Sequence, residues 1–429
     1  MSSSKNIVLK SGIWVYFLLL IFEGALRKWV LPELSNQLLL IRDPLVLYLF
    51  LIANRNKVIF FNRYLFYVFF IAIIGFISSI FLGHGNLIVS VYGFRIFAIH
   101  LPMIFLIGKV FTEEDVLKIG NAMLWISIPM AALIIAQFYS PQTAWVNRGL
   151  GGDLNGAGFS GAMGYKRPPG TFSFTSGTTS FFSLLAVFVF YFWVRTEKIN
   201  RGLLVAATIS LIVSIPFSIS RTLLFEVIFS FLFLIIGVGF LRSENRKSAY
   251  LISGLALITI ALTFLDFFTI GIEVFFTRFE NANQAEGGIE SVFLDRYLGG
   301  LIDALVHSNE QPFLGYGLGY GTNVGSFLIT SQRTFLVSEG EWGRLIGELG
   351  PLLGIGMILI RVTMTIKLMS WSWKALQKEQ VLPWAMLSIT LLVLPQGGWA
   401  QPTSLGFCTL ISGLVIASFS SEKKEMSLA

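Results

Sequence analysis

Apolar segments long enough to cross a lipid bilayer recur along the whole chain, and they constrain the fold more than any other feature. Hydrophobic residues make up 55% of the 429 residues, and only 13% are charged. A spanning helix needs about 20 mainly apolar residues. The sequence therefore predicts an all-α polytopic membrane protein, organised as a single integral membrane domain over residues 1–429.

Twelve segments have this character, and the first continues past any short signal-peptide core without a small-residue cleavage site, so we expect it to be a span. The only cysteine, Cys408, falls inside the last segment, so disulfides play no part in the loops on the outer side. The twelve predicted spans start near Ile13, Gln37, Tyr64, Leu87, Val116, Phe172, Leu203, Thr222, Ala249, Leu345, Val381 and Thr403.

The basic residues are distributed unevenly between the loops. Short turns such as "GHGN" at Gly83 and "PQGGWAQPT" at Pro395 contain no lysine or arginine, whereas the alternate loops and both termini contain many. This positive-inside pattern predicts cytoplasmic termini. The net charge of +7 is then mainly a topology signal, so no nucleic-acid partner is expected. The predicted inner residues are Lys5, Lys10, Arg55, Lys57, Arg63, Lys109, Lys118, Arg195, Lys198, Arg201, Arg242, Arg246, Lys247, Lys367, Lys374, Lys378, Lys423 and Lys424.

Two long segments face outward in this topology, residues 140–171 and 273–344. Loops of this length are usually functional or disordered. The second contains "VFLDRYLGGLIDALV", whose Phe293, Tyr297 and Leu301 recur at helical spacing. We interpret this stretch as an interfacial or cap helix on the outer surface.

Arg27, Arg42 and Arg95 lie within or at the edge of predicted spans. Charges at membrane depth usually face a bundle interior or a wet cavity, so these arginines are candidates for a site. The alternative is snorkelling or pairing, for example of Glu23 with Arg27 or Arg42. Snorkelling is the favoured interpretation for Arg361, which lies near the predicted cytoplasmic end of its span.

The outer surface is rich in arginine, with only one lysine, Lys166. Guanidinium groups are planar, permanently charged and suited to bidentate binding of phosphate or carboxylate. The pattern favours a phosphate-bearing ligand on this side, although loop salt bridges would account for some of the set. The outward arginines are Arg148, Arg167, Arg221, Arg278, Arg296, Arg333 and Arg344.

Motifs for metal or nucleotide chemistry are missing from the sequence. There is no P-loop, His-Glu-x-x-His, paired cysteine ligands or Asp-x-Asp, so no metal or other cofactor is expected. "GYGLGYG" from Gly315 does not fit the dinucleotide fingerprint, and we interpret it as a tight return from the amphipathic helix. His84 and His100 are scattered, and His307, on the long loop, is the one histidine kept as a candidate.

Several of these features occur in an order that resembles the O-antigen ligase and polymerase superfamily. Arg167 lies in "KRPPGTFSFTS", Arg221 in an "SR" pair that opens a span, and Arg296 on the amphipathic stretch before "QPFLGYGLGYG". A polar cluster then precedes "ELGPLLG". The resemblance covers roughly residues 165–356, and the flanking spans match only in number and hydrophobicity.

The resemblance implies a membrane glycosyltransferase that takes glycan from an undecaprenyl-diphosphate carrier and transfers it to an acceptor at the periplasmic face of the bacterial inner membrane. The family uses neither metal nor nucleotide. Arg221 and Arg296 match its basic positions and are expected to hold the carrier diphosphate, with Arg167 as a further candidate. Guanidinium groups would stabilise the charge that develops on the departing diphosphate.

The segment "VSEGEWGRLIGELGPLLG", residues 337–354, departs from the ligase pattern. Ligases carry a histidine and a small polar residue, then nine residues, then the glycine of a turn. Counting back from Gly350 leaves Gly340, with Glu339 where the histidine would be. This departure favours a polymerase over a ligase. A carboxylate can act as base or hydrogen-bond acceptor for a sugar hydroxyl, so Glu339 and Glu341 are predicted to be catalytic.

A structural interpretation of the same segment stays open. Glu341, Arg344 and Glu348 share one face if the segment is helical, and they would form a salt-bridged first turn that suits a helix N-terminus. Arg344 is accordingly only an additional site candidate.

Two other functions compete with the transferase. A transporter or flippase for an anionic lipid or solute would also suit membrane arginines, although no convincing half-to-half repeat is found. A structural subunit of an envelope complex is the third interpretation. The expected partners are the lipid bilayer, the carrier-linked glycan, a glycan acceptor and, for a polymerase, a chain-length regulator.

Overall fold

The fold is taken from a computed structural model, which describes residues 2–58, 60–195, 199–240, 265–286, 300–306, 311–332, 336–338 and 340–419. This part is mostly helical, with one two-stranded ladder of β1 (Phe159–Ser160) and β2 (Lys166–Arg167). The helices are α1 (Ser2–Ala25), α2 (Ser35–Leu38), α3 (Arg42–Arg55), α4 (Arg63–Phe81), α5 (Leu87–Arg95), α6 (Leu101–Val110), α7 (Glu113–Tyr139), α8 (Thr175–Val194), α9 (Arg201–Phe217), α10 (Arg221–Gly239), α11 (Asp266–Glu286), α12 (Gly300–Val306), α13 (Asn323–Thr330), α14 (Glu341–Leu376), α15 (Val381–Gln396) and α16 (Pro402–Ala417).

The helix lengths and composition are those of an integral membrane protein. Within the described ranges, seven helical segments are long and apolar enough to cross a membrane, and an eighth is formed if α2 and α3, bent by 44°, count as one broken span. Helices α9, α15 and α16 are apolar but shorter, at 16 or 17 residues. The span expected near Ala249 falls largely outside the described residues, so the total of twelve stays a prediction.

Polar residues at the ends of the apolar runs set where several helices begin. Thr112 and Asp115 form a reciprocal capping box at the start of α7. The side chains of Asn62, Asn200 and Ser220 accept hydrogen bonds from the first-turn amides of α4, α9 and α10. Each cap satisfies an amide that has no partner within its own helix. The starts of these helices therefore follow from local sequence.

Helix α8 lies at the centre of the bundle. Its sequence "TSGTTSFFSLLAVFVFYFWV" is apolar on all sides after the first turn, and most of its residues are buried. It packs against α7, α9, α10, α15 and α16. A helix that is hydrophobic all round is either buried in a protein core or exposed to lipid, and the burial and contacts of α8 show that it is buried. The first turn of α8, which is rich in serine and threonine, faces the site described below.

The long connections lie at one end of the bundle, which we call the loop end. The backbone amide of His84, between α4 and α5, donates to the carbonyl of Tyr316 at 3.0 Å. The Thr179 and Ser220 hydroxyls are 3.0 Å apart, which brings together the starts of α8 and α10. Ser176 donates to Gln401, between α15 and α16, at 3.4 Å. The starts of α8 and α10 and the turns after α4 and α15 therefore lie at this end, and the predicted outward orientation of the two long segments stays a prediction.

Helix α14 is bent sharply at Gly350, which has φ 77° and ψ 170°. Glu341 and Arg361 are 20 positions apart and would be separated by about 30 Å along a straight helix, yet their side chains are paired at 2.7 Å. The bend divides α14 into a first arm before Gly350 and a second arm after it. A Cβ on Gly354 would meet the backbone of Ile346, so the two arms lie directly against each other. The first arm is thus a short re-entrant helix that folds back on the second.

The glycine-rich segment "GYGLGYG" packs against the re-entrant arm. The amides of Tyr316 and Gly317 donate to the carbonyls of Gly347 and Glu348 at 2.8 and 3.0 Å. Gly315 has φ 71° and lies so close to the backbone of Glu348 that a side chain would not fit there. Glycine is required here because backbone contacts backbone. The segment makes a tight return, as predicted, and it anchors the bend of α14.

The first part of the predicted second outer loop is helical rather than irregular. Helix α11 begins at Asp266, before the expected loop start at residue 273, and packs against α9. Helix α12 is the described part of the predicted amphipathic stretch, and it packs against α14. The remainder of that stretch, including Arg296, lies outside the described residues.

Candidate functional site

A cavity of about 420 Å³ opens at the loop end between α8, α10, α15 and α16. Helices α15 and α16 have 16 residues each, or about 24 Å, against a hydrocarbon core of about 30 Å. Their short length explains why the turn between them lines a recess. The lining residues are Arg167, Phe174, Thr175, Ser176, Thr179, Ser180, Arg221, Thr222, Phe225, Glu226, Phe229, Leu392, Val393, Gln396, Gly397, Gly398, Ser404 and Cys408.

Arg221 reaches the cavity from the first position of α10. Ser220 caps this helix by accepting the amide of Leu223 at 3.2 Å, and the same hydroxyl is held by Thr179 of α8. The N-terminus of α10 is therefore fixed against α8 at the cavity. A helix N-terminus carries partial positive charge and favours anions. Its effect adds to that of the Arg221 guanidinium.

Arg167 reaches the same cavity from the loop between α7 and α8. It lies on β2, where it is opposite Phe159 of β1. Its buried Nε has no hydrogen-bond partner, and no acidic side chain among the described residues pairs with it. Burial lowers the pKa of Arg167, and the positive charges of Arg278 and Arg221 lower it further, to about 10. Arg167 therefore stays charged at neutral pH in surroundings that an anion would stabilise.

Arg278 of α11 completes a cluster of three guanidinium groups. Its Nη1 donates to the carbonyl of Gly161, in the turn between β1 and β2, at 3.2 Å. This bond holds α11 against the ladder that carries Arg167. Three guanidinium groups in one partly buried region suit a ligand with more than one negative charge, because each can donate charge-assisted hydrogen bonds to phosphate or carboxylate oxygens. A diphosphate meets this requirement.

Glu226 is the one acidic side chain among the described residues that line the cavity. It lies on α10, partly exposed to the cavity, and accepts a short hydrogen bond from the hydroxyl of Ser183 on α8. The sequence reasoning missed this residue. Its signal was an acidic residue within an otherwise apolar predicted span, which the rule for ionisable residues in membranes identifies.

The rest of the cavity wall combines aromatic and aliphatic side chains with hydroxyl groups. Phe174, Phe225, Phe229, Leu392 and Val393 supply the apolar part, and the first two turns of α8 supply serine and threonine. Such a mixture is typical of ligand sites, where apolar area gives affinity and a few polar groups set orientation. The cavity suits a ligand that has both charged and apolar portions.

Glu341 lies in a buried ion network outside the cavity lining. It accepts hydrogen bonds from Arg344 at 2.9 and 2.7 Å and from Arg361 at 2.7 Å. Arg344 also donates to Glu348 at 2.6 Å, and the other oxygen of Glu348 accepts the amide of Gly321 at 2.9 Å. This arrangement matches the salt-bridged alternative for these residues. The catalytic role of Glu341 stays a prediction, and both its oxygens are engaged by arginines.

The interpretation of Arg361 as a snorkelling residue is wrong. Its side chain is fully buried, ion-paired with Glu341 and placed over the ring of Trp399 at 4.5 Å. The bend at Gly350 is the reason, because it brings Glu341 back along the second arm of α14. Sequence distance along a straight helix gave no indication of this pairing.

The ion network supports the cavity wall from behind. Trp342 donates from Nε1 to the carbonyl of Pro395 at 2.9 Å, and Trp399 lies under Arg361. Pro395 and Trp399 flank the lining residues Gln396, Gly397 and Gly398. The network therefore fixes the turn between α15 and α16 in place.

Arg27, Arg42 and Arg95 are engaged in buried ion pairs. Glu23 pairs with Arg27 and with Arg42, both at 3.1 Å, which is the pairing alternative stated from the sequence. Asp43 accepts from Arg95 at 2.8 Å and is 2.9 Å from His100. These three arginines do not line the cavity. They join α1, α3, α5 and the loop before α8.

Several predicted site residues lie outside the part of the chain that the structure describes: Arg296, Arg333, Glu339 and His307. Within the described part, no group of histidine, cysteine and acidic side chains is arranged to hold a metal ion.

No protein-family model, curated protein or solved structure matches the chain.

Proposed function

We propose that the protein is a membrane glycosyltransferase that uses an undecaprenyl-diphosphate-linked oligosaccharide as donor. Among such enzymes we favour a polysaccharide polymerase, for O-antigen or exopolysaccharide, over a ligase, because the ligase histidine is replaced at Glu339. The observation that carries the proposal is that Arg167 and Arg221, chosen from separate motifs, line the same cavity. Neither the sequence spacing of these two arginines nor helical periodicity required their side chains to line the same cavity.

The charge of the cavity supports a diphosphate rather than a neutral sugar as its anchoring group. Arg167 and Arg221 provide two guanidinium groups, with Arg278 close enough to lower the pKa of Arg167. The N-terminus of α10 adds its partial charge in the same direction. During transfer, negative charge develops on the departing diphosphate, and fixed cations at that point lower the barrier.

The apolar lining gives the carrier lipid a place beside its diphosphate. Phe225, Phe229, Leu392 and Val393 continue from the arginines along α10 and α15. An isoprenoid chain next to these residues would keep the diphosphate at the end of the bilayer while the glycan extends toward the loop end. In this proposal the bilayer, the carrier-linked glycan, a glycan acceptor and a chain-length regulator are the partners.

The distribution of charge supports an orientation with the loop end in the periplasm. Arg63, Lys109 and Lys367 lie at the opposite end of their helices from the cavity. Positively charged helix ends are retained on the cytoplasmic side. We accordingly place the protein in the bacterial inner membrane with both termini in the cytoplasm and the active face outward.

The proposal is tested by binding and transport measurements on the purified protein in lipid nanodiscs and proteoliposomes. We expect undecaprenyl diphosphate to bind at least tenfold more tightly than the monophosphate, because a second phosphate makes further charge-assisted bonds of about 1.5–3 kcal/mol each. Equal affinity for the two lipids, together with uptake of an anionic solute into proteoliposomes, would favour the transporter.

A further inference from the structure

We infer that Glu226 is the group that accepts the proton of the acceptor hydroxyl, an inference that rests on the proposed transferase function. It assigns to Glu226 the role that the sequence pattern gave to Glu339 or Glu341. Two observations carry it, the position of Glu226 in the cavity and the hydrogen bonding of its two carboxylate oxygens, and the rise of α10 between Arg221 and Glu226 is consistent with it.

Glu226 lies on the side of α10 that lines the cavity, where a ligand would bind. Thr222, Phe225, Glu226 and Phe229 recur at spacings of three and four along α10, so they form the stripe of that helix that lines the cavity. Arg221 lies at the loop end of the stripe. The carboxylate and the guanidinium are thus presented to one ligand by one helix.

The separation suits a displacement at the anomeric carbon. Five residues of α-helix advance about 7.5 Å between Arg221 and Glu226. In a reactive complex the hydroxyl oxygen lies about 3–3.5 Å from the carbon that it attacks, and a base lies about 2.6–3.2 Å beyond that oxygen. With the bond from that carbon to the phosphate oxygen added, the base and the leaving oxygen are about 7–8 Å apart, a length similar to this axial rise.

The proposed step balances without a co-reactant. The acceptor hydroxyl oxygen forms a bond to the anomeric carbon, and the bond from that carbon to the phosphate oxygen breaks. The electron pair leaves with the lipid diphosphate, whose charge is held by Arg167 and Arg221. The hydroxyl proton passes to the carboxylate of Glu226 and later to water. The products are the lengthened glycan and the free lipid diphosphate.

The carboxylate oxygens of Glu226 are available in a way that those of Glu341 are not. Within the described part of the chain, Glu226 has one hydrogen-bond partner, Ser183, which donates to Oε2, and no described residue donates to Oε1. Glu341 accepts three bonds from Arg344 and Arg361 and lies outside the lining. The bond from Ser183 fixes the orientation of Glu226, so we regard Ser183 as a positioning residue.

Few titratable groups among the described residues face Glu226, so its ionisation can be followed through the pH dependence of elongation. Among the described residues, the cavity lining contributes the thiol of Cys408 from α16 and the guanidinium groups of Arg167 and Arg221, and Ser183 of α8, which is not a lining residue, donates a hydrogen bond to Glu226. The lining residues of α15 are neutral. An acid limb in the rate of elongation is therefore expected to report the carboxylate of Glu226.

The inference is tested with Glu226→Gln in the full-length protein, using an undecaprenyl-diphosphate oligosaccharide as the probe. We expect donor affinity within about twofold of wild type and elongation reduced by about 10² to 10⁴, the usual contribution of a positioned base. Glu226→Asp should retain partial activity with a displaced acid limb. Ser183→Ala should lower the turnover rate more than donor affinity. Glu273→Gln, on the exposed face of α11, is the matched control and should behave as wild type.

The possible outcomes distinguish a failure of the inference about Glu226 from a failure of the proposed transferase function. If wild type elongates glycan and Glu226→Gln does so at the same rate, Glu226 is not the base. If Glu226→Gln instead loses donor binding as severely as Arg221→Ala, the carboxylate shapes the diphosphate site and the inference is wrong. A wild-type protein that binds the donor but never elongates any acceptor overturns the transferase function and the inference together.

Discussion

Replacement of Glu341 by glutamine distinguishes the architectural role seen in the structure from the catalytic role predicted from the sequence. The substitution keeps the size of the side chain and removes its charge. Arg344 retains Glu348 as a partner, but Glu341 is the one carboxylate that pairs with Arg361 within the described chain. The variant would leave the guanidinium of Arg361 buried and uncompensated beside the ring of Trp399.

The expected loss of stability follows from the cost of that buried charge. Removing one partner of a buried pair usually costs about 3–5 kcal/mol. At about 2 °C per kcal/mol, the lower value for large domains, the melting temperature should fall by about 6–10 °C. Thermal unfolding of the detergent-purified protein, followed by intrinsic tryptophan fluorescence, measures this shift. Glu273→Gln should leave the melting temperature unchanged.

A second variant tests the stated cause. Glu341→Gln combined with Arg361→Met removes both charges, and we expect it to recover part of the lost stability, because neither buried group is then unpaired. The reasoning is refuted if Glu341→Gln keeps the wild-type melting temperature but abolishes glycan elongation. These two results together would indicate that Glu341 is catalytic rather than structural.

Other predictions follow from the same contacts. Arg167→Ala should weaken binding of a lipid diphosphate tenfold or more, whereas Arg148→Ala, outside the cavity lining, should not; equilibrium binding in nanodiscs compares them. Because the pKa of Arg167 is lowered to about 10, wild-type affinity should decline as pH rises toward that value and the positive charge is lost; Arg167→Ala should show a weaker decline. Gly350→Ala should lower the melting temperature, since a residue with φ 77° costs about 1–3 kcal/mol and its Cβ would meet the carbonyl of Phe313. Asp43→Asn should reduce stability by about 3–5 kcal/mol in the same unfolding assay, because Arg95 loses its carboxylate partner.

The general architecture could be predicted from the sequence because bilayer thickness and hydrogen-bonding needs leave few choices. The apolar runs gave the helical membrane class, and the spans expected to start near Tyr64, Leu203 and Thr222 match helices α4, α9 and α10, which the structure shows to be capped by Asn62, Asn200 and Ser220. The pairing of Glu23 with Arg27 and Arg42 was also foreseeable, since these charges share a small region at membrane depth. Such features depend on residues that are near in sequence, or on the thickness of the bilayer and its lack of hydrogen-bonding partners.

Features that depend on distant parts of the chain were not predictable in the same way. The pairing of Glu341 with Arg361 requires the bend at Gly350, and a glycine followed by proline at the head of an apolar run does not specify a re-entrant arm. Glu226 was overlooked because the resemblance to the ligases directed attention to the position at which they have a histidine. Its position became informative only once α10 was seen to place it in a cavity with Arg167.

The most direct test of the central claim measures the products of purified protein in nanodiscs supplied with a radiolabelled undecaprenyl-diphosphate oligosaccharide. We expect longer glycan chains and one released lipid diphosphate for each new glycosidic bond, with both products lost in Arg167→Ala and Arg221→Ala while the melting temperatures of these variants stay at the wild-type value. Wild-type rates in a folded variant lacking both arginines would contradict the central claim.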